Sequence, residues 1–189
     1  MKFTTLISSI LATPALAQTP TGFTPSTNIT LDVYYGTQYI SPGLIVKKSL
    51  TQKAPTIGLT NTTRELENTS SAMIGTSTAP PIRARQLSCT PLLTDFSPTT
   101  SLLNGTTVLK TSATGPSSYF GPAPPAGTPA THRYVLVLHE QPAGFAVPAA
   151  HKQAVSSRFG IDWVAFGKDA GLKGPVAGNY LQVRSGDNS

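Results

Sequence analysis

The run His132-Arg133-Tyr134-Val135-Leu136-Val137-Leu138-His139-Glu140-Gln141 joins an unbroken apolar stretch to polar groups at both ends. Val135 to Leu138 are all aliphatic, which suits a strand covered on both faces rather than one half exposed to water. Side chains alternate along a strand, so His132, Tyr134, Leu136, Leu138 and Glu140 share one face, and Arg133, Val135, Val137, His139 and Gln141 the other. His132 and Tyr134 are therefore placed to reach one ligand together.

Immediately upstream, Gly115 to Thr131 is dominated by Gly, Pro, Ala and Ser, and Pro122, Pro124, Pro125 and Pro129 have no N–H to give to a ladder. This stretch is a loop. Tyr119 and Phe120 within it favour the wall of a binding site over a bare linker. Over the whole chain 16 Gly and 17 Pro leave short segments rich in Val, Ile, Thr and Tyr, the pattern of strands and turns. Ile29 to Tyr35 reads as a first strand, with Leu31 and Val33 on one face and Asp32 and Tyr34 on the other. Ser41-Pro42-Gly43 marks a turn before the extended Leu44-Ile45-Val46, and Thr56 to Leu59 is a further strand candidate. One helix is predicted, capped by Asp162, carrying Trp163, Phe166 and Ala170 at helical spacing and stopped by Gly171; its Trp163 and Phe166 stripe is expected to pack on a sheet. Val176 to Val183, including Tyr180, reads as the final strand.

Residues 1–17 read as a secretory signal, with Lys2 at the positive start, a short apolar run from Phe3 to Ala12, and the small-x-small site Ala15-Leu16-Ala17. That run is shorter than the roughly 20 residues needed to span a bilayer, and no transmembrane segment is expected. The expectation is a secreted or lumenal protein in which residues 18–189 form one domain. A domain of this size removes roughly two-thirds of its unfolded surface from water, so no disulfide staple is required. The single cysteine, Cys89, stays buried as a free thiol or pairs with another chain; burial is expected, because exposed thiols in an oxidising compartment react. Asn28, Asn61, Asn68 and Asn104 each begin an Asn-x-Ser/Thr triplet, which behind a signal peptide points to glycan-bearing loops. The formal charge of +6 is scattered, without a Lys/Arg cluster or an aromatic-interleaved basic stripe, so nucleic acid is not an expected partner.

Cofactor chemistry finds no motif. His132, His139 and His151 lack His-Glu-x-x-His spacing and paired cysteines, and there is neither a phosphate-cradling Gly-Lys-Ser/Thr loop nor a dinucleotide fingerprint. His132 and Tyr134 remain. An imidazole beside a phenol can move a proton or stabilise an oxyanion, and equally it can hold a carboxylate or phosphate, so catalysis and binding both stay open.

The strand that carries His132 and Tyr134 resembles the second conserved block of the phosphatidylethanolamine-binding protein family. Tyr119-Phe120-Gly121-Pro122-Ala123-Pro124-Pro125-Ala126-Gly127 is similar to that family's Gly-Pro-x-Pro-Pro loop. Phe159, Phe166, Gly171-Leu172 and Pro175-Val176-Ala177-Gly178-Asn179-Tyr180 are similar to its C-terminal pattern, and Pro42-Gly43 with the Thr51 to Ile57 segment keeps the expected order in the first half. The resemblance implies a mainly β fold, a central antiparallel β-structure with a smaller second sheet and a few peripheral helices. It also implies a small pocket for phosphate, acetate or phospholipid headgroups, lined by His132 and Tyr134, with Tyr180 as a further candidate.

Two of the family's pocket blocks are replaced. After Met73-Ile74 the family's Asp-Pro-Asp-x-Pro becomes Gly75-Thr76-Ser77-Thr78-Ala79-Pro80, and before Leu92-Leu93-Thr94-Asp95-Phe96 its His-Trp pair becomes Thr90-Pro91. Hydroxyls thus stand where carboxylates and an imidazole would be. Arg83 and Arg85 lie between the altered blocks and are candidate donors to an anion, since Arg suits a bidentate carboxylate pair. The resemblance implies a protein that binds a small anionic or lipid-like ligand. Alternatively it implies an enzyme or accessory factor that works beside another biosynthetic enzyme and couples maleic anhydride-type units, with a dicarboxylate or anhydride as ligand. A third implied partner is a serine carboxypeptidase, bound by an inhibitory surface.

Overall fold

The structure, a computed structural model, describes residues 18–60, 72–79, 89–187 and 189, with backbone alone at 72–74, 76–79 and 89–91. The expected signal segment, the triplets at Asn61 and Asn68, and Arg83 and Arg85 lie outside the described residues.

The strands are β1 (Asp32–Tyr35), β2 (Gln38–Tyr39), β3 (Leu44–Val46), β4 (Thr56–Leu59), β5 (Ala72–Ala79), β6 (Cys89–Leu103), β7 (Thr106–Lys110), β8 (Thr131–Glu140) and β9 (Ala177–Arg184). They hydrogen-bond in the order β2-β1-β4-β7-β6-β5-β8-β9-β3, and the long β6 belongs to two sheets, pairing first with β5 and then with β7. The hand-over falls near Asp95, whose φ of 60° lies in the left-handed region and breaks the pleat. That conformation is held by reciprocal bonds, Asp95 N–H to Gln141 Oε1 at 2.8 Å and Gln141 Nε2 to Asp95 Oδ1 at 2.8 Å. Among the described strands β3 is the exception to antiparallel pairing, running parallel to β9.

Alternation sends each sequence face to a separate core. Tyr134, Leu136 and Leu138 of β8 meet Leu31, just before β1, and Val33 of β1 in the larger core, with Ile57, Leu109, Leu181 and Val183 around them. Val135 and Val137 enter a smaller core with Trp163 and Phe166. Those two aromatics come from α2 (Trp163–Asp169), where Asp162 Oδ1 accepts from the N–H groups of Val164 (3.1 Å) and Ala165 (3.0 Å) as the sequence predicts. Gly171, at φ +68°, ends the helix; Leu172 N–H reaches Gly167 O at 2.8 Å and Gly171 N–H reaches Lys168 O at 3.2 Å, satisfying two of the last carbonyls. A second helix, α1 (Lys152–Ser157), buries only Val155 and so carries no apolar stripe that periodicity would detect.

On the outer side of β1, Asp32 is buried, and its carboxylate accepts from Thr60 Oγ1 (2.6 Å), Thr106 Oγ1 (3.0 Å) and the Tyr39 hydroxyl (3.3 Å). Asn179 donates to Leu31 O (2.8 Å) and Ile40 O (2.9 Å), tying β9 to the chain on either side of the β1–β2 hairpin.

Gly75 shows how tightly α2 is seated. A Cβ at this position would overlap the six-membered ring of Trp163. Gly75→Ala is expected to lower stability by about 1–3 kcal/mol through overpacking, read as an earlier midpoint in urea unfolding.

Candidate functional site

His132 and Tyr134 stand at the start of β8, opposite Val183 and Leu181 of β9. Tyr134 is 5% exposed, whereas His132 at the strand end is only partly buried. Burial pushes the Tyr134 phenol up to about 12, and a hydrogen bond with the backbone of Ala123 opposes this. The phenol is thus neutral at physiological pH and offers an O–H rather than a charge.

Ala123 belongs to the Gly-Pro-rich loop, and that loop is clamped on both sides. On one side lies a 3₁₀ turn, Lys48–Thr51. Tyr119 donates to Thr51 O at 2.7 Å, which leaves its oxygen to accept from the Tyr35 hydroxyl at 3.0 Å. Burial raises both phenols, Tyr119 to about 12 and Tyr35 well above its usual value, so the relay stays protonated. Gln52 Nε2 donates to Pro122 O at 3.2 Å. Gly121 has to be glycine, because a Cβ would lie 2.6 Å from Thr51 O and 3.0 Å from Gln52 Cα. On the other side, Ser185 N–H donates to Ala130 O (3.0 Å) and the Ser185 hydroxyl to Pro129 O.

Tyr180 is not brought to this group. It pairs with Val135 and packs on the smaller core, across the sheet from Tyr134, where its hydroxyl leaves no room for a Cβ on Gly43. Cys89 opens β6 opposite Ser77, and its side chain lies outside the described residues. Asn28 is exposed two residues before Thr30, which bridges to Gly178 of β9, and Asn104 is exposed in the β6–β7 turn, where the Thr106 hydroxyl of its triplet is already donated to Asp32.

His139 belongs to no motif in the sequence. It is 2% exposed, its Nδ1 donates to Lys173 O at 2.9 Å, and its Nε2 accepts from Trp163 Nε1 at 3.4 Å. One donor and one acceptor define a neutral tautomer, and burial lowers the imidazole below its usual range. His139 is a structural pin between β8 and α2. The signal available beforehand was its placement on the Val135–Val137 face, together with a Trp needing an acceptor. Among the described residues no cluster of His, Cys, Asp and Glu is arranged to hold a metal ion, and no helix is long and apolar enough to cross a membrane.

A family model for the phosphatidylethanolamine-binding protein matches residues 23–180. The chain belongs to the phosphatidylethanolamine-binding protein family. Its fold is similar to that of a carboxypeptidase Y inhibitor in complex with its cognate proteinase, at a TM-score of 0.63 and 17% identity over 85% of each chain. It is also similar to the phosphatidylethanolamine-binding protein of Plasmodium vivax, at a TM-score of 0.52 and 13% identity over 82% of this chain and 84% of that one. In sequence it is 43% identical over 67 residues to phomoidride biosynthesis cluster protein N of Talaromyces stipitatus, a match covering 33% of each chain. The matched region therefore spans about a third of the length of that relative. Within the phosphatidylethanolamine-binding protein frame, the mainly β architecture with two sheets and few helices is as expected from sequence.

Two outcomes follow from this geometry. Gly121→Ala should push the loop off the Lys48–Thr51 turn at a cost of about 1–3 kcal/mol, seen as a lower melting temperature and faster proteolysis between residues 121 and 130. Because the folded His139 titrates below its ordinary value of 6.5, its contribution to stability is complete above that pH and is lost as pH falls through the lowered folded value. His139→Gln should flatten this acid limb in urea unfolding measured across the range, with the neutral-pH stability reduced by the loss of the Trp163 contact.

Proposed function

We propose that this member of the phosphatidylethanolamine-binding protein family is a secreted or lumenal protein that binds a small anionic or amphiphilic ligand at the start of β8. One observation carries the reading: a protonated, buried phenol and a partly buried imidazole share one face of a strand, beneath a loop clamped from both sides. Tyr134 supplies a neutral O–H donor, His132 an N–H donor, and hydrogen bonds to a charged oxygen are stronger than neutral ones. The replacement of the family's acidic block by Gly75-Thr76-Ser77-Thr78 removes carboxylates that would repel a dianion, and Arg83 and Arg85 follow it in sequence.

The likeness to a phomoidride biosynthesis cluster protein favours a second reading of the same site. In it the ligand is a dicarboxylate or maleic anhydride-type unit, and the protein acts in fungal secondary metabolism as an enzyme or as an accessory to one. The neutral phenol of Tyr134 and the imidazole of His132 would then polarise a carbonyl or take up charge on an opening anhydride.

Titration with maleate-type diacids and with glycerophosphoethanolamine tests the site. His132→Ala is expected to weaken diacid binding about tenfold, the worth of one hydrogen bond to a charged group, and Tyr134→Phe to do likewise. Diacid binding unchanged by both substitutions would remove the first reading and the second together. Turnover of an anhydride monomer, alone or with a partner enzyme, that falls in Tyr134→Phe selects the second. Inhibition of a serine carboxypeptidase that survives both substitutions replaces them with a surface-borne role.

A further inference from the structure

We propose a second binding site, for an alkyl chain ending in a carboxylate, in a cleft that opens between β4, β7 and the segment following β7. The cleft encloses about 420 Å³. Small-molecule sites typically occupy about 300–1,000 Å³, whereas well-packed cores leave few voids larger than a water molecule. Its floor is part of the larger core: Ile57, Phe96, Val108, Leu109 and Leu136 line it and all are buried. Ala54, Thr56, Lys110, Thr114 and Ser118 form an exposed mouth. An apolar floor reached from solvent favours a chain that brings its own hydrocarbon.

The polar end of the occupant follows from the mouth. Lys110 is the charged residue in the lining, no Asp or Glu accompanies it there, and the ion pairs formed among the described residues are His151–Asp169 and Lys173–Glu140. A lysine stem can lie along the apolar rim while its ammonium meets a carboxylate at the water boundary. Tyr119, the polar group deeper in the wall, already gives its proton to Thr51 O and accepts from Tyr35, so it asks nothing further of a ligand. A hydrocarbon tail inside and an anionic head at Lys110 match the apolar floor and the cationic rim.

Neither His132 nor Tyr134 lines this cleft, which meets β8 only through Leu136. Leu136 shares the Tyr134 face, about 7 Å farther along the strand. The cleft is therefore separate from the start of β8.

Decanoate and decanol, added to the whole chain and followed by methyl NMR and calorimetry, test it. Decanoate should shift the Val108, Leu109 and Leu136 methyls. Lys110→Gln should weaken decanoate by up to about fivefold, the range of an exposed ion pair, and leave decanol unaffected. Ala113→Trp, which fills the cleft from its rim, should abolish binding of both, while His132→Ala should change neither. Monomeric lysophosphatidylcholine that moves the same methyls identifies a lipid as an additional source of the chain; methyls indifferent to it leave a free acid as the source. Methyls that fail to respond to decanoate, an affinity indifferent to Lys110→Gln, or binding lost in His132→Ala would overturn the proposal. Since His132→Ala is silent here and decisive for the diacid site, the two readings fail separately.

Discussion

Val135 and Val137 can leave water only if something covers one side of β8, and Leu136 and Leu138 only if something covers the other. The rest of the molecule meets that double demand. On one side the strand partners curve round through β6 and close the larger core against β1, β4 and β7. On the other, α2 lays Trp163 and Phe166 against the sheet, close enough that Gly75 has no room for a side chain. His139 turns this packing into a specific seat, because its two ring nitrogens join the Trp163 indole to the Lys173 carbonyl without leaving a buried polar atom unpaired.

At the start of the same strand its cover changes from sheet to loop. Tyr134 is the last residue on its face to be buried, and His132, two positions earlier, is only partly covered. What closes over them is irregular backbone rich in proline, which cannot form a ladder and is instead pinned by Tyr119, Gln52 and Ser185. The phenols of Tyr35, Tyr119 and Tyr134 are all raised by burial, so this end of the molecule is built from neutral hydroxyls. A charged ligand there would meet donors rather than counter-charges.

Much of this was legible beforehand. The faces of β8 and β1 are those that alternation assigns, and the α2 cap and its glycine stop are where Asp162 and Gly171 place them. Several features escaped detection, the strands β2, β5 and β7 among them. β6 carries Pro91 and Pro98 and a left-handed Asp95, which spoil any period-two pattern along its length. α1 has a single buried residue and hence no stripe. Tyr180 shares a strand with core residues, but which face it takes depends on its register with Val135, a quantity that no local pattern encodes.

By itself the sequence determined the family, the strand-rich architecture, and the placement of His132 and Tyr134 on one face, because these rest on local periodicity and on motifs contiguous in the chain. Tertiary structure alone decided that Tyr180 faces away from them and that His139 is a pin rather than a ligand. It alone also brought Thr51 and Gln52 beneath the proline-rich loop and opened a second cleft beside Lys110. Each of these depends on which distant segments meet and in what register, and that is set by closing both cores at once rather than by any short stretch of residues.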